Sequence, residues 1–319
     1  MKNQYKKMDI LVLTLKCITL STVLLFFTSC NNDKVFENEQ YKNVFALIST
    51  GIDNVSEKFH DLGEESIGYV TASMGGTRNI TRDVTVNLVE DSYLVESYNI
   101  TNFDNDVSKY ARRMSSNNYS LESYTFTIPA GSIGASVPIK IRPDGLSPDS
   151  VYFIPLRIQT HDLYEANQLK SYVLYSARMK NFYAKADGNT RYNMRAKHRT
   201  EGSSTELEMP GTKIMHPLTK NSVRVMVSNE NFVSEVDRFE KLAIILEVDE
   251  NNNVIIKPYK NVDIQQVEGD ERFPNVFKLE DDGFKKYKTF LLRYNYTVSG
   301  KTTEIKEELR LEYKEGEDD

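Results

Sequence analysis

Cysteine and tryptophan are almost absent from this 319-residue sequence, which has only Cys17 and Cys30 and no tryptophan at all. Past residue 30 the chain can form no disulfide, and it offers neither a thiol nucleophile nor thiolate metal ligands. Its four histidines, His60, His161, His198 and His216, show no i, i+2 or i, i+4 pairing and make no metal motif. No G-x-S-x-G elbow, P-loop or Rossmann glycine pattern occurs. Carboxylates do come in doublets, at Glu64-Glu65, Glu90-Asp91, Asp281-Asp282 and Glu307-Glu308. Adjacent residues on a strand point to opposite faces, so these doublets do not converge across a cleft as a glycosidase pair must, and they read as solvated surface charge. These absences exclude the usual enzyme classes and imply no cofactor and no metal.

Long hydrophobic runs are equally scarce. The one candidate, Ile10 to Phe27, follows Lys2, Lys6 and Lys7 and is interrupted by Lys16. Its uncharged remainder, Cys17 to Asn32, is 16 residues, short of the roughly 20 that cross a bilayer as a helix. A basic start followed by a short apolar run is the pattern of an export signal. At its end Phe27-Thr28-Ser29-Cys30 resembles the lipobox of bacterial lipoproteins, with Phe27 where an aliphatic residue is usual. That resemblance implies a signal peptide over 1–29, cleavage before Cys30 and acylation of the Cys30 thiol. The next residues, "NNDKVFENEQ", are polar and acidic, and 30–40 reads as a flexible tether. The stretch resembles the one that sends Bacteroidetes lipoproteins to the outer face, which implies an outer-membrane, lipid-anchored protein facing the cell exterior.

Residues 1–29 carry four lysines and one aspartate, net +3, so the −6 of the whole chain leaves −9 on the remainder. An acidic surface repels phosphate backbones and anionic headgroups, which argues against nucleic acid as a partner and leaves membrane contact to the lipid anchor. The remaining 290 residues are ample for two cores.

From Tyr41 the sequence breaks into short apolar or alternating runs separated by turn residues: "NVFALIS", "IGYVTAS", "VTVNLVE", "SYTFTI", "SVPIKI", "VYFIPLRIQT" and "SYVLYSARM". Such a series predicts an all-β unit, and about seven strands over 41–183 suit an immunoglobulin-like sandwich. Pro138 and Pro155 fall inside two runs and mark edges or bulges there. Asp91 is placed to open a short helix that ends at Tyr98-Asn99. "VTVNLVEDSYLVESYNI", followed by "NNYSLESYTFTIPAGS" and "YFIPLRI", is similar to the N-terminal domain of Bacteroidetes surface lipoproteins, a domain of unknown function built as an immunoglobulin-like sandwich.

Between 184 and 211 the strand signal fades into "AKADGNTRYNMRAKHRTEGSSTELEMPG", which reads as a loop-rich domain junction. Alternation then returns in "NSVRVMVSN", "EKLAIILEVD", "NVIIKPY" and "NVFKL", and in a long final hairpin turned at Ser299-Gly300. A two-residue loop pairing Val298 with Lys301 sets Tyr294 opposite Ile305 and Phe290 opposite Leu309. The segment 184–313 is therefore a second antiparallel β-meander domain, or one closed into a lipocalin-like barrel, with 314–319 as a disordered acidic tail. "KIMHPLTKNSVRV" and "YKTFLLRYNYTVSG" resemble the C-terminal domain that accompanies the first in the same lipoproteins.

The nineteen tyrosines mostly sit inside strand patterns, where packing is their default. Tyr164 in "THDLYEANQ" and Tyr192 in "GNTRYNM" stand in polar, turn-like sequence, and Arg191 adjoins the second. These three are the candidate glycan-binding residues, a ring beside a guanidinium and amides. The family resemblance implies non-catalytic capture of a polysaccharide or oligosaccharide within a polysaccharide-uptake system. An adhesin, or a structural component of a surface protein complex without a sugar site, is the alternative. For the anchor, Cys30→Ser should release the protein from membranes or leave it unprocessed, read by membrane fractionation; unchanged partitioning would refute lipidation at Cys30.

Overall fold

Period-two burial begins at Val44, and strands make up most of the regular structure among the described residues. The computed structural model describes residues 42–50, 53–76, 78–230, 236–314 and 316; Cys30, the signal segment, the tether and most of the acidic tail lie outside the described residues. Eleven strands build the first domain: β1 Val44–Leu47, β2 Val55–Asp61, β3 Ser66–Gly75, β4 Val84–Glu90, β5 Arg112–Arg113, β6 Tyr119–Leu121, β7 Thr125–Ile128, β8 Gly134–Ile141, β9 Tyr152–His161, β10 Glu165–Ala166 and β11 Tyr172–Lys180. They form two sheets, β10-β1-β3-β8-β6 against β2-β11-β9-β4-β7, with β5 flanking β9. Val84, Val86 and Leu88 of one sheet and Val137, Ile139 and Ile141 of the other are buried against each other in the sandwich core.

Both prolines sit where a ladder runs out. Pro138 pairs with Tyr69 on one side, while β6 reaches only Ile139 on the other; Pro155 pairs with Leu174, while β4 ends opposite Leu156. A residue without an N–H fits where no neighbour asks for one. The helix after β4, α1 Tyr93–Phe103, runs four residues past Asn99. Ser92 takes the N-cap position, and the Asp91 carboxylate accepts the Tyr93 N–H at 3.2 Å. Val95 packs with Phe153 and Leu174 on the outer side of the β9–β11 ladder, and the rings of Tyr98 and Phe153 meet edge to face at 4.9 Å.

No alternation in "VSEKFHD" announces β2, yet all seven residues pair in parallel with β11, from Val55 opposite Leu174 to Asp61 opposite Lys180. Its inward residue is His60, buried, with Nδ1 2.6 Å from Ser66 Oγ and Nε2 2.9 Å from Tyr175 OH. Gly68 makes room for that bridge, because a Cβ there would lie 1.8 Å from the Tyr175 hydroxyl.

The second domain holds β12 Arg191–Thr200, β13 Leu207–Ile214, β14 His216–Thr219, β15 Ser222–Met226, a short helix α2 Val236–Leu242, β16 Ala243–Val248, β17 Val254–Pro258, β18 Asp263–Gln266, β19 Val276–Asp281, β20 Lys286–Val298 and β21 Lys301–Tyr313. One sheet runs β13-β12-β21-β20-β18, with β19 also on β20; the other runs β14-β15-β16-β17. The chain crosses directly between them at buried Met215. An isolated bridge, Asn253 to Val276, ties them at a second point. Among the described residues no continuous ladder closes the ring, so the sheets form a curled half-barrel around one core rather than a complete barrel. In the final hairpin Val298 faces Lys301, Tyr294 faces Ile305 and Phe290 faces Leu309, the register its two-residue turn predicts.

The segment expected to be loop-rich is largely strand. Tyr192, Met194 and Ala196 of β12 are buried while Arg191, Asn193 and Arg195 are exposed. Tyrosine, methionine and alanine inward, alternating with arginine and asparagine outward, give a strand of low hydropathy, which hides the pattern.

Burial, helped by the charge of Lys180, pushes the His60 imidazole down to about 4. Its unfolded value is about 6.5, so protonation favours the unfolded chain: the stabilisation is complete above that pH and is lost as pH falls toward the folded value. Denaturant titrations should show His60 costing roughly 2 to 3 kcal/mol by about pH 4.5. The His60→Asn variant, compared with the wild type at both pH values, should lack that increment; equal slopes would refute it.

Candidate functional site between the domains

After β11 the chain enters the second domain through one side chain. Asn181 Oδ1 accepts the N–H groups of Tyr183 (3.0 Å) and Ala184 (2.9 Å), folding the linker into a turn, while its Nδ2 donates to the carbonyls of Thr219 (2.7 Å) and Ser222 (2.9 Å). Such a local carboxamide turn is what asparagine does well. The turn delivers Ala184 to the second core and Ala186 back to the first. The junction is therefore packed on both sides.

Between the domains lies a cleft of about 640 Å³, bounded by Asp61 and Glu64 of the first domain, the linker residue Phe182, and Asn189, Lys220 and Tyr313 of the second. Phe182 leaves 47% of its surface exposed there. Its ring is held from behind by Tyr183 and Phe277, edge to face at 5.4 and 6.1 Å. Buried Lys288 puts Nζ 4.4 Å from the Phe182 centroid and 5.0 Å from that of Tyr313, a cation set between two ring faces. The result is an apolar ring surface in a wall of amide, ammonium and carboxylate groups.

Across the same boundary Arg224 of β15, buried and stacked between Phe239 (4.7 Å) and Tyr259 (5.1 Å), donates in bidentate fashion to Asp149 of the first domain at 2.8 and 2.6 Å. Gly63 in the β2–β3 turn packs so closely on Lys220 that a Cβ would sit 2.6 Å from it. Two contacts beside the linker thus set the width of the cleft.

The residues expected to make the platform are not together. Tyr164, at φ +57° before β10, lies half-buried against the first core, its hydroxyl accepting the Thr81 N–H at 3.3 Å. Arg191 opens β12 and is exposed. Tyr192 is the inward residue of that strand and fully buried; its hydroxyl donates to the Tyr183 carbonyl at 3.0 Å and its ring meets Phe290 at 5.7 Å. A stacking role for Tyr192 is therefore corrected to a core role, because strand alternation points it inward. Phe182 was legible only as one more aromatic at the end of a strand run. The acid doublets need correction too. Glu90 is half-buried and accepts from Tyr119 (2.7 Å), Tyr124 (2.5 Å) and Arg113, while Glu307 is fully buried. Among the described residues no group of three or more His, Cys, Asp or Glu side chains could hold a metal ion.

One family model, for an N-terminal domain, matches residues 36–165, and a companion model for a C-terminal domain matches 171–310. The chain carries this pair of domains. A Bacteroides ovatus protein of unknown function has the same architecture at 16% identity and a TM-score of 0.63, covering 85% of this chain and 95% of its own. A second, described as a multidomain protein including DUF1735 from Bacteroides ovatus, is similar at 15% identity and 0.63, covering 86% and 95%. A third, described as an auxiliary nutrient binding protein from Bacteroides thetaiotaomicron, is similar at 14% identity and 0.54, covering 83% and 93%. At these identities the likeness concerns the fold. No curated protein matches the chain.

Because Tyr192 is a core residue, Tyr192→Ala should lower stability by roughly 3 to 5 kcal/mol, the cost of emptying a buried aromatic site. Equilibrium urea unfolding measures it. A loss under about 1 kcal/mol would place the ring at the surface after all.

Proposed function

We propose that the protein is a non-catalytic surface lipoprotein, held in the outer membrane through Cys30, that binds extracellular glycan in its interdomain cleft as part of a polysaccharide-uptake system. The observation that carries this reading is the exposed Phe182 ring at the cleft, braced by Tyr183 and Phe277 and flanked by polar side chains. A sugar presents C–H groups on its faces and hydroxyls at its rim. A rigid ring meets the first, while Asp61, Glu64, Asn189 and Lys220 offer acceptors and donors to the second. The fold likeness to a protein described as nutrient binding supports the same reading. The adhesin or complex-component reading draws on a different surface: Ile67 and Tyr69, each more than half exposed on the outer side of β3, are apolar groups suited to a protein contact.

Affinity electrophoresis against a polysaccharide panel tests the proposal. Retention on at least one glycan is expected, and Phe182→Ala should weaken it roughly tenfold, the loss of one stacking ring. Phe182→Ala should lower stability by roughly 1 to 2 kcal/mol, because the half-buried ring also covers the Lys288 ammonium, so retention is compared under conditions where the variant stays folded. Retention unaffected by Phe182→Ala would remove the cleft from the proposal. Absence of any binder would favour the protein-contact reading, and release of reducing ends would overturn the non-catalytic one.

A further inference from the structure

Glu307 occupies an inward position of β21 between Ile305 and Leu309, with Ala196 and Leu292 as its cross-strand neighbours. Lys213 of β13 sits beside Tyr192 and reaches over β12 to meet it. Its Nζ lies 2.8 Å from Glu307 Oε1 and 2.6 Å from Oε2, and neither side chain is more than 1% exposed. The Tyr294 hydroxyl donates to Oε1 at 3.1 Å while accepting the Ser228 N–H at 3.1 Å. Oε2 has no donor besides Lys213 among the described residues.

We propose that Lys213 and Glu307 condense into an intramolecular amide that links β13 to β21 across the second core. An ion pair so fully removed from water is poorly compensated, since each ion has lost its hydration shell and the carboxylate has few donors. Burial pulls the Lys213 ammonium down, toward the neutral amine. Passing one proton from Nζ to Oε2 discharges both groups at once. What remains is an amine nucleophile held in contact with a carboxylic acid whose Oε1 is already polarised by Tyr294, so proximity and an oriented hydrogen-bond donor are both in place.

The Nζ lone pair forms the N–Cδ bond and the Cδ–Oε2 bond breaks. The departing oxygen keeps its proton, takes one from Nζ and leaves as water. Nothing is oxidised or reduced and no co-reactant enters. The product is a neutral amide whose carbonyl oxygen inherits the Tyr294 hydrogen bond, a better occupant of a dry core than two charges. It would also tie an edge strand to the centre of its sheet in a chain that has no cysteine past residue 30.

Mass spectrometry of the purified full chain tests this. The intact mass should fall short of the sequence mass by one water. Trypsin should fail to cut at Lys213 and yield a branched species joining the Thr200–Lys220 peptide to Glu307–Arg310. Lys213→Met should restore the full mass, and Tyr294→Phe, which keeps both reacting groups, should accumulate the full-mass precursor after synthesis. A wild-type chain at full mass that trypsin cuts at Lys213 would overturn the proposal and leave a buried ion pair. So would a one-water deficit that persists in Lys213→Met, since it would arise elsewhere. Wild-type conversion in Tyr294→Phe would overturn the role given to the hydroxyl. Should Lys213→Met fail to fold, the branched wild-type peptide decides alone.

Discussion

The clamp between Arg224 and Asp149 is the interaction on which the molecule's usable surface depends. A guanidinium buried between Phe239 and Tyr259 is expensive to leave uncompensated, and a planar, bidentate carboxylate partner is the geometry that suits it. Because that carboxylate belongs to the other domain, the cost of exposing Arg224 opposes any movement of one domain away from the other. Asn181 adds four hydrogen bonds at the linker, and Gly63 lets the two turns touch. The cleft that displays Phe182 is a consequence of these contacts rather than of either domain alone.

Buried polar groups follow a common logic in both cores. His60 bridges Ser66 and Tyr175 in the first, while Lys213, Glu307 and Tyr294 meet in the second. Each is buried, so each has to find partners inside the protein: Ser66 and Tyr294 come from the neighbouring strand in sequence, while Tyr175 and Lys213 come from strands far along the chain. A disulfide-free chain gains specificity of packing in this way, because a shifted register would strand a polar group without its partner.

Hydrophobic alternation revealed the strands whose inward residues are large and apolar, and the final hairpin down to its register, because a two-residue turn leaves the pairing no freedom. It failed for strands whose inward residue is polar, or whose outward residues are so polar that they mask the pattern. β2 has His60 inward and an edge-strand exterior; β12 has Met194 and Ala196 inward and arginines outward. In β21 the series Thr303, Ile305, Leu309 and Leu311 already implied that Glu307 points inward with them, yet a carboxylate between two hydrophobic residues reads as surface until its lysine is found on another strand. Tyr192 was misplaced for the related reason that polar neighbours suggested a loop.

What the sequence determined by itself was the class of the molecule: an all-β chain in two units, without thiols past residue 30, with strand positions and one hairpin register set by period-two burial and turn chemistry, both local properties. What only the tertiary structure decided was which side chains meet. The Phe182 surface, the Asp149–Arg224 clamp and the Lys213–Glu307 pair each join residues that are neighbours only after sheets have stacked and domains have docked. Local periodicity specifies the face on which a residue lies but carries no information about what stands opposite that face, so the cores were foreseeable and the contacts between distant elements were not.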